Sequence, residues 1–239
     1  MEQLNITAEI DRIRKTNKWI GKQNTKELMA RNELFHPSYD EPVVIQDNIN
    51  ATYAAAGIPK RYYDMDFVWL RKYGSFPREN ARAYAVIKQY TDNLKENINT
   101  GKGLILRGPA GTGKTSIAIS ILKEVVALGE RCMMISMPNL LDTMLSLSKG
   151  DNVAFMNYEQ KLRSIPLLLL DDFGAEYSKS DWVAAKVDSI IIDRYNNMRS
   201  IILTTNYSET WTKDHYSQRI YDRLRGEYAE AIFLGASHR

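Results

Sequence analysis

Apolar positions along this chain follow two rhythms. From Gly103 onward, short apolar runs alternate with amphipathic stretches: Leu104-Ile105-Leu106, Cys132 to Ile135, Leu167 to Leu170, Ile201-Ile202-Leu203, and Ala231-Ile232-Phe233-Leu234. Near-continuous apolar strands separated by helices predict an α/β fold, a parallel five-stranded sheet covered on both faces. Ahead of it, Ala83, Val86, Ile87 and Tyr90 fall at helical spacing and predict one helix over 78–97. Residues 1 to about 35 also read as helical, with Ile6, Ile10 and Ile13 on one face. The segment from His36 to Pro42 breaks that pattern and reads as a linker. A second breaker, Gly57-Ile58-Pro59, precedes the aromatic run Tyr62, Tyr63, Phe67 and Trp69. The pattern therefore divides the chain into a short helical arm with its linker, 1–42, and an α/β domain, 43–239.

Composition narrows the classes. The 239 residues allow one sizeable core plus an appendage, and 44% hydrophobic with 26% charged residues is ordinary for a globular protein. A net charge of +3 is too mild to argue nucleic-acid binding from the total. Locally the balance differs: from Asp11 to Lys26 six basic side chains stand against one acid, a charge of +5. The one cysteine, Cys132, excludes an intrachain disulfide and a Cys-rich zinc module, and its apolar neighbours suit a small core residue. His36, His215 and His238 are too scattered for metal-ligand spacing. No apolar stretch approaches the roughly 20 residues of a membrane span, and the start lacks a basic-then-apolar leader, so a cytoplasmic location is expected.

The chemistry concentrates after the first strand. Gly108-Pro109-Ala110-Gly111-Thr112-Gly113-Lys114-Thr115 fits the phosphate-binding pattern G-x-x-x-x-G-K-[ST] in full. Its flanks fit as well. The strand Leu104 to Leu106 enters it, and the helix leaving it carries Ile117, Ile121, Leu122 and Val125 on one face and stops at Gly129. The glycines let backbone N–H groups curl around phosphate oxygens, and the helix N-terminus adds positive potential there. Lys114 can reach β- and γ-phosphates, and the Thr115 hydroxyl can ligate Mg²⁺.

The run Leu167 to Leu170 ends in Asp171-Asp172. A buried strand that delivers a carboxylate beside a phosphate loop suits a Mg²⁺ shell, with Asp171 on the metal side and Asp172 as general base for the attacking water. Two solvated acids after a core strand would read the same way in isolation. Ile201-Ile202-Leu203 leads into Thr204-Thr205-Asn206, and in a parallel ATPase sheet that strand lies between the loop strand and the acidic strand. Asn206 could then hold the attacking water or the γ-phosphate, or simply cap a turn. Arg219 and Arg223 are four apart and share a helix face. They suit either a solvated basic helix or an arginine offered to a neighbouring subunit's γ-phosphate.

Together these residues resemble the DnaC/DnaI/IstB family of AAA+ P-loop ATPases, from about Gly57 to Arg239. The resemblance rests on an ordered set: Gly57-Ile58-Pro59-Lys60-Arg61-Tyr62, the phosphate loop, the Leu-Leu-Leu-Leu-Asp-Asp strand, Thr204-Thr205-Asn206, the helix Arg219-Ile220-Tyr221-Asp222-Arg223-Leu224-Arg225, and the ending Gly235-Ala236-Ser237-His238-Arg239. It implies the AAA+ strand order, ATP with Mg²⁺ as ligands, and a minimal or absent helical lid after Leu234. It also implies Asn206 as first sensor, Arg223 as arginine finger with Arg219 as second candidate, and Arg239 as a sensor-like arginine near the nucleotide. Ile58 to Phe67 would pack near the adenine. Members of the family touch single-stranded DNA and assemble as homo-oligomeric spirals or rings in the ATP state. Loaders deliver a replicative DNA helicase through an N-terminal helical segment, whereas transposition members regulate a transposase. Two departures bear on function. The usual acidic pair is Asp-Glu, and the shorter Asp172 implies slow turnover. The zinc module of DnaI-like loaders cannot form here.

Candidate stacking and phosphate contacts for single-stranded DNA are Lys60-Arg61 beside Tyr62-Tyr63 and Arg71-Lys72 beside Tyr73, which would equally form a solvated rim around core aromatics. The favoured expectation is an ATP-dependent helicase loader with its arm as docking element. The alternatives are an IstB-like transposition regulator, a nucleotide-gated scaffold with little hydrolysis, and, more distantly, a small-molecule P-loop kinase.

Overall fold

The five apolar runs are the strands of one sheet, and their alternation sorts the side chains into two cores. The strands are β1 (Gly103–Arg107), β2 (Cys132–Ser136), β3 (Leu167–Asp171), β4 (Ser200–Thr205) and β5 (Tyr228–Ile232). All pairings are parallel, in the order β2-β3-β4-β1-β5. Leu104, Leu106, Leu167, Leu169 and Ile202 face one core, while Ile105, Leu168, Leu170, Ile201 and Leu203 face the other. A period of two with both faces covered explains why these strands read as unbroken apolar runs. The computed structural model describes residues 42–74, 77–150, 152–175 and 181–235. The expected arm, most of its linker and Arg239 lie outside these residues.

In chain order α1 (Pro42–Ala55), α2 (Phe67–Tyr73), α3 (Ala81–Asp92) and α4 (Leu94–Thr100) precede β1. Along the edge of β2, the Met134 N–H donates to Ala56 O at 2.7 Å, so the turn at Gly57 (φ 79°) covers that edge. The segment between Gly57 and α2 is pinned from behind by α5 (Lys114–Ala127). Lys123 of that helix is buried and donates to the carbonyls of Tyr62, Tyr63 and Met65 at 2.6, 2.7 and 2.8 Å. Burial lowers the Lys123 pKa, and Asp66 and Asp64 oppose that shift. As the apolar face predicted, Ile117, Ile121, Leu122 and Val125 are buried, and the helix closes at Gly129 (φ 76°) with Glu130 N–H on Val125 O at 3.1 Å.

On the second face lie α6 (Met137–Gly150), α7 (Asn152–Ser164), α8 (Asp181–Asn196), α9 (Glu209–His215) and α10 (Gln218–Glu227). Arg194 of α8 is wholly buried and donates to Leu162 O at 2.7 Å and Ser200 O at 2.6 Å, with weaker bonds to Arg163 O and Pro166 O. It ties the start of β4 to the end of α7, and burial brings its pKa down to about 10.

Two expectations change. The helix predicted over 78–97 is broken into α3 and α4 at Asn93, where φ −111° and ψ 22° interrupt the turn. Asn97 takes over the freed Tyr90 carbonyl through Nδ2 at 2.9 Å, and the bend buries Leu94 and Ile98 in the first core. The last strand begins at Tyr228 rather than Ala231. As an edge strand it is only half covered: Tyr228 and Ala231 are buried while Ala229 and Ile232 are exposed, so no continuous apolar run marks it.

Candidate functional site

The phosphate loop forms because β1 must turn sharply into α5 through backbone angles that residues with a Cβ rarely adopt. Gly108, Gly111 and Gly113 have φ of 152°, 81° and 85°. At Gly113, which caps α5, nothing lies within 4 Å of where a Cβ would stand, so the helix N-terminus is open. Lys114 opens the helix and is buried, its Nζ donating to Gly108 O and Pro109 O at 2.7 Å each. Those bonds hold the ammonium over the loop.

The order β3-β4-β1 brings three strand ends to this turn. Asp171 ends β3, 7% exposed, and its Oδ1 accepts from Thr115 Oγ1 at 2.9 Å and from Thr204 Oγ1 at 2.6 Å. Burial raises the Asp171 pKa and Asp172 adds to that, while the two hydroxyl bonds and Lys114 oppose it. The Thr204 hydroxyl also accepts the Asp172 N–H at 3.0 Å. It thereby fixes Asp172 in a left-handed turn, φ 57°, with its side chain exposed. Beyond it, Phe173 N–H donates to Thr204 O at 2.7 Å and Thr205 Oγ1 donates to Phe173 O at 2.7 Å. On the other side Gly108 N–H reaches Thr205 O at 3.2 Å. The end of β4 thus joins the acidic turn to the first residue of the phosphate loop.

The donor set fits Mg²⁺. Thr115 and Asp171 offer hard oxygens 2.9 Å apart beside the loop. Among the described residues no group of three or more His, Cys, Asp or Glu forms a metal cage. One carboxylate and one hydroxyl, with phosphate and water oxygens completing the shell, is the usual Mg²⁺ arrangement at a nucleoside triphosphate.

The remaining predicted residues are placed less evenly. Asn206 lies just past β4, exposed, on the side where the loop and the acidic turn meet. Arg219 is exposed on α10. Arg223, half-buried, stacks its guanidinium over the Tyr195 ring at 4.9 Å, with Nη1 buried and without a hydrogen-bond partner. Neither arginine shares a hydrogen bond or ion pair with the phosphate loop or the acidic turn. Arg61 lies 5.0 Å over Tyr62, and Lys72 4.8 Å over Tyr73. Tyr62 and Tyr63 pack against the core, whereas Tyr73 is 60% exposed and is the open ring of the set. Sequence reasoning passed over Thr204 except as part of a strand end. The signal was present: a polar pair inside a buried strand needs partners. It also passed over Arg107, which leaves β1 buried and binds Glu230 Oε1 at 2.5 Å, Thr212 Oγ1 at 3.3 Å and the Tyr207 carbonyl.

Residues 89–226 match the family model of IstB-like ATP binding proteins. A replicative helicase loader DnaC from Buchnera aphidicola is 26% identical over 139 residues, 58% of this chain and 55% of that protein. A replicative helicase loader DnaI from Bacillus subtilis is 31% identical over 143 residues, 56% of this chain and 44% of that protein. The chain spans about half the length of these curated relatives. A crystal structure of the DnaC helicase loader superposes with a TM-score of 0.63 at 27% identity, covering 74% of this chain and 100% of that one. That of DnaI gives 0.61 at 21% identity over 74% and 94%, a likeness of fold. With a phosphate loop, a hydroxyl-bound acidic strand end and a family match over more than half its length, this chain belongs to the IstB-like ATP binding proteins.

Proposed function

We propose that the chain is an ATPase that loads a replicative DNA helicase, binding ATP with Mg²⁺ at Gly108 to Thr115. The observation that carries the ATPase reading is the pair of hydroxyl bonds on Asp171, which sets a hard-oxygen metal position beside the loop. In this reading Lys114 exchanges its bonds to Gly108 O and Pro109 O for β- and γ-phosphate oxygens. Thr115 and Asp171 hold Mg²⁺, whose charge stabilises the transferring phosphoryl group. Asp172 takes a proton from the attacking water as the terminal phosphoryl bond breaks to leave ADP and phosphate. Asn206 orients that water or the γ-phosphate. Asp172, one methylene shorter than a glutamate, makes turnover slow.

A neighbouring subunit supplies an arginine from α10, and Arg239 reads the nucleotide from the carboxyl end. Arg223 is the residue matched by the resemblance, and its stacking on Tyr195 is worth about 0.5–1 kcal/mol that presentation in trans would give up. Arg219 is already exposed. Mixing Arg223→Ala subunits with Lys114→Ala subunits tests the assignment: restored turnover supports Arg223 in trans, and its absence leaves Arg223 unsupported as the finger.

Helicase loading draws its support from the curated relatives named as replicative helicase loaders. The basic arm, 1–35, is the proposed helicase-docking element, and single-stranded DNA the proposed nucleic-acid partner of an ATP-state homo-oligomer in the cytoplasm. Among the described residues no helix is long and apolar enough to cross a membrane. The family match to IstB-like proteins supports a second reading, regulation of a transposase. Pull-down of a replicative helicase in ATP and Mg²⁺, with full-length protein and with 1–35 removed, separates the two. Capture by the full-length form alone supports the loader, while no capture by a protein that binds ATP favours the transposase regulator.

A further inference from the structure

Asn80 is a buried polar residue that no phosphate motif contains. It is 1% exposed and ends the short 3-10 turn Arg78–Asn80 ahead of α3. Its side chain brackets a single distant residue: Asn80 Nδ2 donates to Leu234 O at 3.3 Å, and Asn80 Oδ1 accepts the Leu234 N–H at 2.6 Å. An amide side chain that satisfies both the donor and the acceptor of one residue acts as a strand neighbour does. The chain leaving β5 is therefore held by a group 154 positions upstream.

The residue before Leu234 bears directly on the phosphate loop. Phe233 is 1% exposed, and its N–H donates to Arg107 O at 2.7 Å. Its ring meets Tyr84 edge-on, with centroids 5.9 Å apart. Gly108, the first glycine of the loop, lies flat against it: a Cβ there would stand 2.5 Å from Phe233 O and 2.8 Å from Phe233 Cβ. The backbone that Asn80 holds is thus the wall on which the loop begins to turn.

We infer that Asn80 is a positioning residue for nucleotide binding. Through Leu234 it fixes the Phe233 peptide, and through that peptide the start of the Gly108 to Gly113 turn whose N–H groups face the phosphates. This rests on the reading of Gly108 to Thr115 as the ATP site. Without the bracket, the Phe233–Leu234 peptide loses the Asn80 bonds and is held less firmly against Gly108, by the Phe233 N–H bond to Arg107 O and the packing of its ring. The loop then has more freedom to lose when phosphate binds, and affinity falls for every nucleotide that presents a β-phosphate.

The test compares wild type, Asn80→Ala and Asn80→Asp, each in the full chain. Asn80→Asp keeps an acceptor for the shorter Leu234 N–H bond and loses the amide donor that serves Leu234 O beside Tyr84. Dissociation constants for ATP and ADP with Mg²⁺ are measured well below the melting temperature, alongside amide hydrogen exchange at Leu234 and over 108–113. Expected for Asn80→Ala is a Kd about tenfold higher for both nucleotides, with faster exchange at Leu234 and in the loop, and turnover at saturation within twofold of wild type. Asn80→Asp is expected to recover most of the affinity. A merely structural role lowers the melting temperature but leaves Kd unmoved, so a folded Asn80→Ala protein with Kd within twofold of wild type overturns the inference. So does faster exchange confined to Leu234. If Asn80→Ala does not fold, Asn80→Ser makes the same comparison. If wild type itself binds no ATP, the proposed function fails, while exchange in the loop still decides whether Asn80 positions it.

Discussion

Replacing Thr204 with valine removes one hydroxyl that serves two acidic residues. Thr204 is 1% exposed, donates to Asp171 Oδ1 at 2.6 Å and accepts the Asp172 N–H at 3.0 Å. Valine keeps the branched shape and the β-propensity but leaves both partners short. A hydrogen bond to a charged group is worth about 1.5–3 kcal/mol and one to a neutral amide about 1 kcal/mol, so the loss sums to about 3 kcal/mol. For a domain of this size, about 2–4 °C per kcal/mol puts the fall in melting temperature on the order of 10 °C. The functional loss is expected to be uneven. Asp171 keeps the Thr115 hydroxyl at 2.9 Å, so Mg²⁺ and ATP binding weaken modestly. Asp172 loses the contact that holds its backbone at φ 57°, so turnover falls further than affinity. Thermal melts, ATP titration and steady-state phosphate release on the same preparations measure all three. Thr204→Ser, which keeps both bonds, should restore turnover. A valine variant that melts within about 2 °C of wild type and hydrolyses ATP equally fast would refute the reasoning.

Asp172→Glu adds the methylene that the acidic pair lacks, and a severalfold rise in turnover at saturating ATP is expected; a fall would argue against Asp172 as general base. Arg194→Met leaves the Leu162 and Ser200 carbonyls without their guanidinium donor, so chemical denaturation should show a loss of about 3 kcal/mol, and an unchanged midpoint would count against the clamp. Burial pushes the Cys132 thiol up to about 12, so it should resist thiol reagents at pH 8 until the protein is unfolded, and rapid labelling of the native protein would show that β2 opens.

The sheet and the phosphate loop were legible because each is written in consecutive residues. Leu167 to Leu170 is buried on both faces and so reads as one apolar run, and the loop needs its glycines and Lys114 at fixed spacing. What escaped depends on partners far along the chain. The break at Asn93 needs Asn97 to bind the Tyr90 carbonyl, which helical periodicity cannot report. The half-covered edge strand β5 hides its start at Tyr228 behind exposed neighbours. Asn80 finds Leu234 across 154 positions, and nothing near it in sequence announces the contact. Arg223 was singled out for its place on a helix face, but its stacking on Tyr195 is set by the packing of α10 on α8.

The most direct measurement of the central claim is ATP binding by calorimetry, with and without Mg²⁺, for wild type and Lys114→Ala. Within the loop, Lys114 Nζ donates to Gly108 O and Pro109 O at 2.7 Å each. Expected is Mg²⁺-dependent binding by wild type and an affinity lower by on the order of a hundredfold in the variant, as loss of charge-assisted phosphate contacts implies. Equal binding by the two proteins, or no binding by wild type, would contradict the assignment of Gly108 to Thr115 as the nucleotide site.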